Sequence, residues 1–427
     1  MAIHRRTLQC LTCGQKTISR TTLGDDDYQD CAFPCPKCGI EIKYRVLLHL
    51  NTKMRELTAT GLSFQEAMTS LINKDIKPLE LVNLTNAHDC EEEPGLPVRT
   101  FSERLLNPFP EHDIVSPYLS TAFLPKNRQQ FMLHQRIREV NATKHWKSVH
   151  NLLTHFERKQ WALFDRQWEQ LELGGKVHSE NDRIRAAFRA IEEWEKVFAP
   201  GTDGAKERVK QRLALGCATS HPLMKDLIHY FKANGKDESM YRELVEIRDR
   251  WAKHYLHLSP VYLRFYWDDE NNALEDYAVT EKKFEELKLL YVEVFETFCR
   301  ITVIAAGIEG IIHKNKVGVP LLKRVMDLDE FDIATNGAKR GLLEHLTIAD
   351  LFVPFIDNKL RNGIGHNSAH YDAANDVILY RVENDKGIQN LKISYTKFCE
   401  TLVTLFRQLH VVSLYAHWLR ESTLGVV

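Results

Sequence analysis

The sequence predicts a mainly α-helical protein with a small β-rich, metal-holding module at its amino terminus. Three observations carry that prediction. From about residue 128 onward, apolar residues recur at helical intervals through long stretches. Five of the nine cysteines are gathered between positions 10 and 38. The chain has 427 residues and is 44% apolar, which is too long for one core and too apolar for disorder, so it divides into several packed units.

Residues 1–45 are rich in Cys, Gly, Thr and Asp, with β-prone pieces at Lys16 to Ile18 and Ile40 to Val46. Within them stand two C-x-x-C-G knuckles, Cys10-Leu-Thr-Cys13-Gly and Cys35-Pro-Lys-Cys38-Gly, separated by 21 residues. Each short turn aims two thiolates at one point, and four sulfurs suit tetrahedral zinc. Glycine after the second cysteine lets the backbone curl so that amides reach the sulfurs. The pattern resembles zinc ribbons. Because thiolates fill all four positions, none remains for water activation, so the zinc is expected to be structural and no catalytic metal is expected. Cys31 is a spare or an alternative ligand, and the scattered Cys90, Cys217, Cys299 and Cys399 do not form a disulfide framework.

Residues 46–127 are predicted to hold one short helix and a linker. Ser63 and Glu66 have capping-box spacing ahead of Ala67, Met68, Leu71 and Ile72. From Glu91 to Pro125 an acidic triplet and six prolines interrupt every candidate helix. Residues 128–300 then form a helical domain, and residues 301–427 a second one. Breaks fall at Gly174-Gly175, Pro200-Gly201 and Gly235-Lys236-Asp237. Val261 to Trp267 and Val377 to Val382 are β-prone. Each precedes a polar turn and a helix, near Thr280 or Tyr395, which suggests a diverged repeat offset by about 114 residues.

The formal net charge is -1, with basic and acidic residues spread along the chain, which argues against a broad phosphate-neutralising face but leaves room for a local basic cleft. The first ten residues, MAIHRRTLQC, lack the apolar core of a signal peptide, and no run of 18 apolar residues occurs, so a cytoplasmic protein without membrane partners is expected.

The most informative chemistry lies near the carboxyl end, in DLFVPFIDNKLRNGIGHNSAHYD. Arg361-Asn362-Gly-Ile-Gly-His366 brings a cation, an amide and an imidazole together after an apolar stretch. RNA cleavage by the ribose hydroxyl needs a base for the 2′-hydroxyl proton and a cation for the phosphorane charge, and His366 and Arg361 are those two groups. His370 is a secondary candidate for protonating the leaving oxygen. On a regular helix Asn362 and His366 share a face, whereas Arg361 and His366 diverge by about 140°, so either the helix distorts, helped by Gly363 and Gly365, or a second copy contributes.

RNGIGH resembles the motif of the HEPN superfamily of helical ribonucleases and nucleotide-binding domains, and the resemblance covers roughly residues 300 to 427. Members commonly continue with an acidic turn, a β-hairpin and a closing helix, matched here by Tyr371-Asp372, Val377 to Ile393, and Tyr395 to Leu419. The resemblance implies a helical HEPN-like bundle. It also implies metal-independent endoribonuclease activity by dimeric HEPN domains, often in antiviral-defence, abortive-infection, toxin or CRISPR-associated systems. On this reading the substrate is RNA, and a regulatory trigger or an antitoxin protein is an expected partner.

Arginine is followed directly by Asn or Asp at only two places. The second, Arg248-Asp249 with His254, is read as a second tandem HEPN-like copy, able to pair with the first inside one chain. Its alternative is an ordinary solvated helix face with (i, i+4) ion pairs, Glu246 with Arg250 and Asp249 with Lys253. The competing function is a non-catalytic zinc-ribbon adaptor that dimerises and binds a partner protein, nucleotide or nucleic acid.

Overall fold

The computed structural model describes residues 3–22, 28–47, 80–90, 142–196, 198–199, 201–265, 284–365, 369–372, 377–384 and 387–425, with single positions between 49 and 60. The predicted helix after Ser63 and the predicted linker at 91–125 lie outside the described residues, as do residues 266–283. No helix among the described residues is long and apolar enough to cross a membrane.

The amino-terminal module is built from two similar halves. Strands β1 (Ile3–Cys10) and β2 (Lys16–Thr22) form one antiparallel hairpin, and β3 (Tyr28–Pro34) and β4 (Glu41–Leu47) form another. Each cysteine knuckle is the turn of its hairpin. The predicted β-prone pieces are therefore strands, but the module also takes in strands β5 (Glu80–Thr85) and β6 (Ala87–Cys90). β5 adds to the edge of β4 and β6 to the edge of β1, giving sheets in the order β3-β4-β5 and β2-β1-β6. The pairing satisfies edge hydrogen bonds that a module ending at residue 45 would leave open. Alternation along the strands turns Leu8, Cys10, Ile42, Tyr44 and Val46 inward onto a small core that also holds Cys31.

The helical body begins with α1 (Ala142–Glu157), α2 (Trp161–Leu171), α3 (Glu180–Lys196), α4 (Asp203–Thr219) and α5 (His221–Ala233). Two long helices follow, α6 (Lys236–Phe265) and α7 (Phe284–Lys314). A short hairpin of β7 (Val319–Pro320) and β8 (Val325–Met326) leads to α8 (Leu328–Asp332), α9 (Asn336–Leu343) and α10 (Ala349–Phe352). The chain then forms α11 (Asn358–Gly365), strands β9 (His370–Asp372), β10 (Val377–Asn384) and β11 (Gly387–Ser394), and the closing helix α12 (Tyr395–Thr423).

Three helices organise this body. Residues Ile301 to Ile311 of α7 are buried on every side, as is most of α12, so these are central helices rather than amphipathic covers. Phe284 and Tyr291 of α7 both meet Phe398 of α12 edge to face. Trp251 of α6 stacks on Phe406 of α12 with ring centroids 3.7 Å apart. A further aromatic run, Trp146, Trp194 and Phe198, ties α1 and α3 into the same core.

Val261 to Phe265, predicted as strand, instead completes α6, with Val261 and Tyr262 buried. A short apolar run reads alike as a buried strand or a buried helix turn, and here its continuity with the preceding helical stripe decides. The predicted hairpin at Val377 to Ile393 and the helix from Tyr395 are present, but Tyr371-Asp372 lies in a strand, not a turn: β9 pairs with β10 through Tyr371 opposite Ile378.

Candidate metal centre and candidate active site

The sulfurs of Cys10, Cys13, Cys35 and Cys38 all lie within 4.8 Å of one another. Cys10 and Cys38 are 3.7 Å apart and Cys13 and Cys35 3.5 Å, close to the ~3.8 Å edge of a sulfur tetrahedron around zinc at about 2.3 Å. The knuckles repeat each other: the amide of Gly14 donates to the Cys10 carbonyl and that of Gly39 to the Cys35 carbonyl, each at 2.8 Å. Both turns need a left-handed residue, which is why glycine stands there, at φ +70° and +72°.

The thiols are electrostatically divided. Burial raises the Cys35 thiol, but the amides of Cys38 and Lys37 and the neighbouring sulfurs outweigh it and bring it down to about 6. Cys10 is held low by the same balance, burial against the amides of Cys13 and Thr12. At Cys13 the Gln15 amide lowers the thiol, while burial and the three other sulfurs drive it up to about 12. Four thiols this close cannot all ionise without a cation, and a divalent metal on these four sulfurs supplies one. The donor set fits structural zinc. Cys31 packs in the small core and is not a member of the four-sulfur cluster.

The second site is built on α11. Asp357 caps it, its Oδ1 accepting the Leu360 amide at 3.0 Å. Leu360, Gly363 and Ile364 face inward, Asn362 and Gly365 are exposed, and Arg361 lies half-buried at the edge. The helix is regular through Gly365, so the glycines do not distort it before that point. Gly363 serves packing instead: a Cβ there would fall 2.1 Å from Cδ2 of Tyr380 on β10, so only glycine lets the hairpin lie against the helix. Arg361 reaches Glu296 of α7, Nη2 to Oε1 at 2.5 Å, and its Nη1 donates to Asn362 Oδ1 at 3.2 Å. His366 lies outside the described residues. His370 is exposed on β9, opposite Leu379.

The Arg248 motif has a different fate. Arg248 is buried in the body, with Nε donating to Glu195 Oε1 at 2.7 Å and Nη2 to His417 Nε2 at 3.0 Å. Asp249 turns away, accepting from Trp146 Nε1 at 3.2 Å and Lys253 Nζ at 2.8 Å. His254 faces Glu286, 3.6 Å away. The three residues of this second motif thus do not meet in one site, because α6 runs unbroken through them and positions six apart on a helix diverge by about 120°. Of the ion pairs read for the solvated alternative, Asp249 with Lys253 is present, whereas Arg250 pairs with Glu293 of α7.

No protein family, no curated protein and no solved structure matches the chain. Function has to be read from the residues themselves.

Sequence reasoning missed two groups. Glu296 stands beside Arg361, with Asn336 of α9 donating to its other oxygen at 3.3 Å. Glu195, His410 and His417 surround Arg248, His410 donating through Nδ1 to Glu195 Oε2. In the linear sequence Glu296 is one of several carboxylates on an apolar helix, and nothing local marks it as the partner of an arginine 65 positions away. The buried histidines carried a faint signal, since they fall in phase with the apolar residues of α12.

Proposed function

We propose that the chain is a metal-independent endoribonuclease of HEPN type, with a zinc ribbon as a structural or docking module. What supports the reading is the placement of Arg361 and Asn362 together at the outer edge of α11, five and four positions before His366 in the sequence, with the β-hairpin and closing helix following in the order the motif implies. In this reading His366 takes the 2′-hydroxyl proton, and Arg361 holds the charge that builds on the phosphorane. Asn362 steadies the guanidinium through the bond from Nη1. His370 is the secondary candidate for the proton returned to the leaving 5′-oxygen. Because Arg361 and a residue five positions on diverge around a regular helix, pairing of two copies completes the site, and the acting species is a homodimer. Defence or toxin biology with a silencing partner is the matching context.

The test is cleavage of RNA by the purified protein in EDTA, with 2′,3′-cyclic phosphate ends on the products. His366→Ala and Arg361→Ala are expected to abolish cutting while leaving the helical circular dichroism unchanged. Full activity in the His366 variant ends the reading. Normal behaviour of both variants, with function lost only in Cys35→Ser, would mark the adaptor instead.

A further inference from the structure

Arg361 is held from beneath by a second helix, and the hold is built from three separate elements. α11 and α7 pack in opposite directions at this point: a Cβ on Gly365 would sit 3.6 Å from Val292, and one turn back along α11 Arg361 meets Glu296, one turn forward along α7. Glu296 is itself fixed, since Asn336 Nδ2 donates to its Oε2. Asn336 opens α9, whose start is capped by Thr335 accepting the Ala338 amide at 3.3 Å. The pair is only partly exposed, at 28% for Arg361 and 29% for Glu296. The contact is an ion pair outside hydrogen-bond alignment, for Arg361 Nε and Glu296 Oε1 are both buried without a hydrogen-bond partner.

We propose that Glu296, anchored by Asn336, is the positioning residue for Arg361. The inference rests on the ribonuclease reading of Arg361. A guanidinium carries five donors in a rigid fork on a flexible stem. Glu296 occupies the Nη2 side, which faces α7, and so turns the Nη1 side toward exposed Asn362, where a phosphate would arrive. Without the carboxylate the stem regains its rotamers, and the cation is no longer waiting at the scissile group when charge develops. Glu296 never touches RNA in this scheme and acts only through Arg361.

The experiment compares the full-length wild type with Glu296→Gln, Glu296→Asp and Asn336→Ala in RNA cleavage, alongside 15N spectra of the arginine side chains with Arg361→Lys giving the assignment. Glu296→Gln is expected to lower kcat by roughly 100-fold, the scale of a misplaced catalytic group. KM should be unchanged or lower, because an anion near the RNA has been removed. Glu296→Asp should recover part of kcat, and Asn336→Ala should lose less than Glu296→Gln. In the spectra the Arg361 guanidinium should rotate slowly in the wild type and freely in Glu296→Gln. A higher kcat in Glu296→Gln would make the carboxylate a brake and overturn the proposal. Loss of kcat in step with melting temperature, without recovery by aspartate, would make it structural and also overturn it. If the wild type cuts no RNA, the ribonuclease reading fails on its own, and a freely rotating Arg361 in the wild type then refutes the positioning role as well.

Discussion

Acidification should destabilise the helical body through His417. This side chain accepts a bond from Arg248 at Nε2, so it is neutral with its proton on Nδ1. Complete burial first, and then the Arg248 charge, pull its pKa down to about 3. An unfolded histidine takes its proton near pH 6.5. Between those values the unfolded chain binds one more proton than the folded one, so stability is full above pH 6.5 and falls as the pH drops through the window. For one such group the loss from pH 6.5 to 5.5 is about 1 kcal/mol, a sizeable part of a typical folding free energy of about 5–15 kcal/mol. His410 shifts in the same direction, since burial outweighs the attraction of Glu195.

The measurement is the urea midpoint, followed by far-ultraviolet circular dichroism at pH 7.5, 6.5 and 5.5, for the wild type and His417→Gln. Glutamine keeps an oxygen that can accept from Arg248 but does not titrate, so the difference in slope between the two proteins isolates the histidine from surface groups common to both. The variant should lose about 1 kcal/mol less than the wild type between pH 6.5 and 5.5. Parallel pH profiles would show that His417 is protonated in the folded protein or is not buried, and would refute the reasoning.

Glu195→Gln leaves Arg248 charged in the core without its counter-ion, and is expected to cost about 3–5 kcal/mol in urea unfolding; a change below about 1 kcal/mol would contradict the buried pair. Gly363→Ala should destabilise by about 1–3 kcal/mol through the clash with Tyr380, and adding Tyr380→Ala should recover part of that loss, which a double-mutant cycle reads directly. The four-cysteine cluster should bind one zinc per chain by elemental analysis, and Cys35→Ser should lower the stoichiometry while leaving the helical signal of the body in place.

The parts of the fold legible in the sequence were those with strong local grammar. Two C-x-x-C-G turns fixed the knuckles because few backbones carry that spacing, and Gly14 and Gly39 have the left-handed geometry it requires. Ser394, accepting the Lys397 amide at 3.2 Å, opens α12 where the pattern placed its start. What failed was non-local. β5 and β6 join the amino-terminal module from positions 80–90, after a long intervening stretch, and short strands give no hint of their partners. The same holds for Glu296, which matters only because α7 crosses α11.

The two arginine motifs share an arginine, a polar neighbour and a later histidine but not the phase of the helix around them, and that phase separates an arginine whose head reaches the surface from one buried in the core. In α6 the buried residues Tyr241, Leu244, Trp251, Tyr255, Leu258 and Tyr262 recur at steps of three and four save for one gap of seven, and Arg248 fills that gap in phase. An arginine in such a place must enter the core, and a charge in the core must find an opposite charge on another stripe. Glu195 follows Trp194 on the inward face of α3, and His410 and His417 lie among the buried residues of α12, so three helices each place a polar group in phase with their apolar neighbours and the groups meet. Arg361 instead sits one position after Leu360 and three before Ile364, on the margin of a stripe only three residues wide. Its stem can pack while its head stays at the surface. A motif search that scored phase together with spacing would have set Arg248 aside and kept Arg361.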